Sequence, residues 1–136
     1  MKLLILYCHH FGYNAAKKSL DNYIIEKKQD NIKESIVAFI QLEEDDEEIL
    51  KKQETKLVKN LKWAAGKNNT KKIVLHSFAH LSESKANPDI TKTFLDNCET
   101  RLKSADYEAY QTPYGYFLDL NINAPGHPFA RIFKSF

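Results

Sequence analysis

The chain has 136 residues, 20 Lys and Arg against 18 Asp and Glu, a net charge of +2, and 43% hydrophobic residues. That length and balance fit one globular domain with a core of its own, and the charge neither identifies a nucleic-acid binder nor excludes a local basic patch. Cys8 and Cys98 are the two cysteines and neither belongs to a CxxC, which argues against a disulfide framework and makes a reducing, cytoplasmic setting the default.

"MKLLILYCHH" opens with an apolar run too short for a signal peptide or a membrane span, and Leu3–Leu6 reads as a strand covered on both faces. Asn14 is placed to cap a helix whose apolar positions are Ala16, Leu20, Tyr23 and Ile24. "ESIVAFIQLE" (34–43) is β-branched and aromatic and reads as the second strand. "EDDEE" (44–48) then reads as a cation site or, more simply, as an acidic first helical turn complementing the dipole. The helix behind it carries Leu50, Leu57, Val58, Leu61 and Ala65, and Gly66 stops it. "KKIVLHSF" (71–78) is the third strand. Asn87 and Pro88 read as N-cap and first residue of a helix that buries Ile90, Phe94, Cys98 and Leu102. The alternation beyond it gives strands at about 106–112 and 115–123, then a short terminal strand or helix. Gly115 supplies positive φ in the turn before the second of these, and His127 reads as a turn residue. The pattern predicts an α/β fold: a single domain (1–136) with a mixed β-sheet and packed helices.

Cys8, His9 and His10 end the first strand, while His76 and His80 end the third. If those strands are parallel neighbours, the groups meet at one sheet edge. A zinc site or a Cys8–His nucleophile pair is conceivable there. The spacing lacks HExxH and no carboxylate ligand is obvious, so no metal is expected. Ser82 and Ser84 read as loop caps, since a nucleophilic serine needs a base in reach.

Four segments then carry a resemblance, in order along nearly the whole chain: "MKLLILY", "VAFIQLEEDDE" (37–47), "FAHLSESKANPDI" (78–90) and "TPYGYFLDLNINAPGHPFA" (112–130). They resemble the N-terminal editing domain of archaeal-type threonyl-tRNA synthetase, a relative of D-aminoacyl-tRNA deacylases, whose corresponding motifs read AHLS, PFGYYK and GHPLAE. The resemblance implies a D-aminoacyl-tRNA deacylase-like fold and hydrolysis of the ester between mischarged L-serine and threonine tRNA, without a cofactor or metal. It implies a substrate site of Leu42, Glu43, Ala79, His80, Phe117 and Leu118, with His80 the one catalytic side chain. It also implies binding of the aminoacylated 3′ end of tRNA and a homodimer, while no membrane partner is expected because the opening apolar run is too short to span one. The lysine pairs 17–18, 27–28, 51–52 and 71–72 would form a phosphate footprint if they converge; otherwise they are solvated faces.

Departures accompany the matches. Leu118 stands where the family has a lysine, Phe117 where it has its second tyrosine, Arg131 where it has an acidic residue and Tyr7 where it has an early histidine. Lys85 compensates for the missing charge or is a solvated loop lysine. With no aminoacylating segment in these residues, the expectation is a free-standing deacylase. The alternative is a binding module for aminoacyl-tRNA or aminoacyl-adenosine that kept the fold and lost turnover.

Overall fold

The run Leu3–Leu6 belongs to a strand far longer than itself. The computed structural model describes residues 1–25 and 27–136. Its elements are β1 (Lys2–Lys18), β2 (Gln29–Gln41), a 3₁₀ turn (Glu44–Glu48), α1 (Leu50–Lys67), β3 (Lys72–Ser77), α2 (Pro88–Ser104), β4 (Glu108–Gln111), β5 (Tyr116–Asn123), a second 3₁₀ turn (Pro128–Ala130) and β6 (Arg131–Ser135). The sheet order is β4-β3-β2-β1-β5, with β6 also on β1. β1 pairs antiparallel with β2, β5 and β6, whereas β2–β3 and β3–β4 are parallel, so the sheet is mixed as expected.

The helix expected after Asn14 is absent, and β1 continues there instead. Phe11 lies opposite Ile32 and Ile122, Tyr13 opposite Leu120, and Asn14 opposite Gln29 and Asp119. Aromatic and β-branched cross-strand pairs of this kind stabilise extended chain more than one cap stabilises a helix. Ile24, counted toward that helix stripe, is 97% exposed.

This difference reorders the sheet. Without an intervening helix, β1 and β2 form an antiparallel pair, and β2 separates β1 from β3. Ser77 at the end of β3 is level with Ile40 and Leu3, whereas Cys8 is level with Ser35. The condition that would have made the first and third strands parallel neighbours is therefore not met, and the two histidine-bearing strand ends are not juxtaposed. The last two predicted strands are also not paired with each other. β4 extends β3, and β5 lies beyond β1 at the other side of the sheet.

Both helices pack on one sheet face. Leu57, Leu61 and Ala65 of α1, and Phe94, Cys98 and Leu102 of α2, are buried against Leu3, Ile5, Ile36, Ala38, Ile73 and Leu75. Asn87 caps α2 by accepting from the Asp89 and Ile90 amides, with Pro88 behind it, as the sequence suggests. α1 runs one residue past Gly66, to Lys67, and the left-handed residue after it is Asn69 (φ 52°). The opposite face has its own core of Cys8, Phe11, Ile32, Val37, Phe39 and Val74.

The acidic run is not an α-helical first turn. It forms its own 3₁₀ turn before α1, and Asp46 is buried. The Met1 ammonium lies 2.9 Å from Glu43 Oε1 and 2.8 Å from Asp46 Oδ2, and it donates to Phe136 O at 2.9 Å. Gln53 Nε2 donates to Asp46 Oδ1 at 2.6 Å. This knot ties the start of β1, the end of β2, α1 and the C-terminal residue together.

Candidate functional site

β3 ends at Ser77, and the chain must cross the top of β2 before Pro88 begins α2. Three anchors hold it there. Phe78 donates its amide to Ile40 O at 2.9 Å, and Ala86 donates to Leu42 O at 3.1 Å. Between them, the buried Gln41 side chain grips the loop. Its Oε1 accepts from the Leu81 and Ser82 amides at 2.6 and 2.8 Å, and its Nε2 donates to Ser82 O and Ser84 O at 2.8 and 2.9 Å. An amide has the donors and acceptors for all four bonds at once. The amides of Ala79 and His80, lying between these anchors, have no acceptor among the described residues.

β5 approaches from the other side through the turn at Gly115. Its φ is +82°, and a Cβ there would meet Leu20 Cβ at 3.2 Å and Tyr23 Cδ2 at 3.3 Å, so glycine is required by both conformation and space. Gly115 O accepts from the amides of Ser19 and Leu20 at 2.8 and 3.1 Å, which folds the segment after β1 over the turn. Tyr23 packs edge-on against Tyr114 at 4.8 Å, and Tyr114 Oη donates to Pro88 O at 2.8 Å.

A cleft of about 380 Å³ lies between these parts. Leu42, Ala79, His80, Phe117 and Leu118 line it, so five of the six residues singled out from sequence meet in one place. Glu43 does not line it. Its Oε2 accepts from Ser82 Oγ at 2.6 Å, and its Oε1 faces Met1 and Lys2. Burial pushes the Glu43 carboxyl up, but the Ser82 hydroxyl, the N-terminal ammonium and Lys2 outweigh it and bring the pKa down to about 2. Glu43 thus braces the loop from outside, and Ser82 is spent on that brace. Among the departures, Phe117 and Leu118 face the cleft, whereas Tyr7 and Arg131 do not line it. Tyr7 donates instead to Glu34, a residue at φ 51° that also lies 3.2 Å from His9 Nδ1.

The cleft has features beyond the substrate site drawn from the sequence. His76 is 5% exposed and lines it. Its Nδ1 lies 2.8 Å from Thr112 Oγ1, and its Nε2 has no partner among the described residues. Burial among Phe39, Phe78 and Phe11 lowers its pKa to about 4, so the ring is neutral at pH 7. The sequence names His76 as a strand-end histidine, but beside Cys8–His10 and not in this cleft, whereas Gln41 is missed, and its interruption of the apolar run "VAFIQL" is the one sequence signal that could have flagged it. Leu20 and Tyr114, assigned elsewhere to a helix and a turn, also line the cleft.

The thiols are not available as nucleophiles. Cys8 and Cys98 are fully buried, and burial pushes them up to about 11 and 12. Among the described residues no three His, Cys, Asp or Glu side chains come together as a metal site. Nor does any helix of the described residues have the length and apolarity to cross a membrane.

Comparison with known proteins accords with this geometry. The family model described as the Archaea-specific editing domain of threonyl-tRNA synthetase matches residues 1–136. Threonine–tRNA ligases are similar: that of Methanosphaera stadtmanae is 28% identical over 137 residues, and that of Methanobrevibacter smithii 30% identical over 141 residues. Each alignment covers 99% of this chain and 22% of the ligase, so the chain spans about a fifth of those relatives. Among solved structures, the c-Myc DNA Unwinding Element Binding Protein superposes with a TM-score of 0.70 at 12% identity, covering 99% of this chain and 98% of its own. At that identity the likeness concerns the fold, which is the expected α/β mixed-sheet, D-aminoacyl-tRNA deacylase-like class. On the match along its whole length, the chain belongs to the family of archaeal editing domains of threonyl-tRNA synthetase.

Proposed function

We propose that the cleft binds the aminoacylated 3′ end of tRNA and hydrolyses a mischarged aminoacyl ester, with seryl-tRNA(Thr) as the substrate. The observation that carries this reading is the convergence of the second-strand end, the loop after β3 and β5 on one cleft, in a chain of the editing-domain family. The free amides of Ala79 and His80 support it further. Backbone donors held on a pinned loop suit an ester oxygen that gains negative charge as it is attacked.

In the proposed step, a water oxygen bonds to the ester carbonyl carbon and the carbonyl electron pair moves onto its oxygen. The pair then returns, the bond to the ribose oxygen breaks, and that oxygen takes up the proton lost by the water. The products are free serine and tRNA with its terminal hydroxyl restored. His80 is the side chain in the cleft suited to pass that proton, and Leu42, Phe117 and Leu118 form an apolar wall. Such a wall separates serine from threonine by the room for one methyl, worth about 1–3 kcal/mol.

One observation favours a second reading. Phe117 and Leu118 bring no polar side-chain group to the cleft, which suits a module that binds an aminoacyl-adenosine without turning it over. A homodimer is proposed with either reading, since β5 lies at the end of the sheet and leaves Phe117 54% exposed.

Deacylation of a panel of mischarged tRNAs tests the proposal. Release of serine from seryl-tRNA(Thr) above the spontaneous rate, reduced in His80→Ala, is expected. A wild-type rate equal to the spontaneous one, with retained binding of a non-hydrolysable seryl-adenosine amide, supports the binding module instead. Strong deacylation that survives His80→Ala overturns the role given to His80.

A further inference from the structure

The cleft has an unusual charge inventory. No Asp or Glu of the described residues lines it, and its two histidines are accompanied by a single formally charged side chain, Lys85. The backbone that carries Lys85 is fixed on both sides. Ser84 O accepts from Gln41 Nε2 at 2.9 Å, Ser84 Oγ accepts from the Glu44 amide at 3.0 Å, and the Ala86 amide is held by Leu42 O at 3.1 Å. Lys85 itself forms no ion pair among the described residues, although Glu83, Glu44 and Glu47 are close in sequence or on adjoining loops. Lys85 thus borders a cavity that no carboxylate of the described residues lines.

We infer that Lys85 is the charge-bearing group of this cleft and stabilises the negative oxygen that develops on the ester carbonyl during hydrolysis. The inference rests on the deacylase reading above. A cation is effective in this place because the apolar wall brings no competing anion, although solvent still screens an exposed ammonium. The ammonium keeps its proton throughout. It orients and stabilises, while the water's proton travels to the leaving ribose oxygen. Lys85 lies on the loop and Leu118 on the facing strand, so the two are alternative positions from which one ammonium could face the same cavity.

The test is steady-state deacylation of seryl-tRNA(Thr) by Lys85→Met and Lys85→Arg, with folding checked by circular dichroism. Lys85 is exposed and belongs to neither core cluster, so Met is expected to leave the fold intact. Lys85→Met should lower kcat by about 10- to 100-fold with little change in KM, less than for a fully enclosed oxyanion donor because solvent reaches the group. Lys85→Arg should recover most of the loss, and Lys85→Met combined with Leu118→Lys should recover part of it. An unchanged kcat in Lys85→Met, or a rise in KM alone, overturns the inference while leaving the deacylase reading standing. A wild-type protein without turnover overturns both.

Discussion

Gln41→Met tests whether the loop after β3 is held in place mainly by one side chain. The wild-type amide makes four hydrogen bonds of 2.6–2.9 Å to the main chain of residues 81–84 and is 3% exposed. At about 0.5–1.5 kcal/mol net per bond, the sum is about 2–6 kcal/mol. Two effects reduce it. Met fills much of the vacated volume, and Leu81, Ser82 and Ser84 are only half-buried, so water can reach the released peptide groups. The expected loss of global stability is therefore about 1–3 kcal/mol, read as a lower denaturation midpoint with an unchanged slope. The larger effect is local. Amide exchange at Leu81 and Ser82 should rise far more than in the β1–β2 core, and the deacylation KM should rise with it. If those two amides keep their wild-type protection, Gln41 is not what holds the loop and the assignment is wrong.

Glu43, whose folded pKa of about 2 lies below its unfolded value, contributes stability that is present above about pH 4.5 and is lost as pH falls toward 2. Denaturation midpoints measured across that range should fall less steeply in Glu43→Gln than in wild type. His76 has a folded pKa of about 4, below the ordinary histidine value, so its neutral form contributes stability above about pH 6.5 that is lost between there and pH 4. His76→Phe should flatten the midpoint over that interval, and an unchanged slope refutes burial of a neutral ring. Gly115→Ala, with φ +82° and neighbours at 3.2 and 3.3 Å, should destabilise by about 1–3 kcal/mol and release the segment at Ser19 and Leu20, measured by midpoint and by exchange of those two amides. Asn87→Ala removes the two accepted bonds that start α2 and should cost about 1 kcal/mol in the same denaturation assay.

Local signals in the sequence led to the right local structure. Asn87 and Pro88 satisfy the start of α2 from within the motif itself, and the stripe of Phe94, Cys98 and Leu102 lies on the core side because its spacing admits one buried face. The segment after Asn14 shows where this fails. Ala16, Leu20, Tyr23 and Ile24 fit helical spacing, but Leu20 lines the cleft, Tyr23 packs on Tyr114 and Ile24 faces solvent. What holds β1 extended there is pairing with β5, about a hundred residues away, which no local window contains. One wrong element then misplaced a strand, because a helix between β1 and β2 would make their connection a crossover and favour parallel pairing.

The site divides along the same line. The AHLS loop and β5 were legible as motifs, but Gln41 and His76 act through partners roughly 40 residues distant, and each alone reads as a polar interruption in a strand. The electrostatic character of the cleft is less legible still, because it depends on where charges are not. The chain has 18 Asp and Glu, enough that a carboxylate would be unsurprising in any cavity. The fold sends Glu43 and Asp46 to the N-terminal ammonium, Glu34 to Tyr7 and His9, and Glu54 toward Lys51 and Arg101. Asp89, nearest in sequence to the cleft wall at Pro88, is taken by Tyr23. Each of these pairings keeps an anion away from a cavity whose proposed chemistry develops negative charge, and a carboxylate beside that charge would raise the barrier by repulsion.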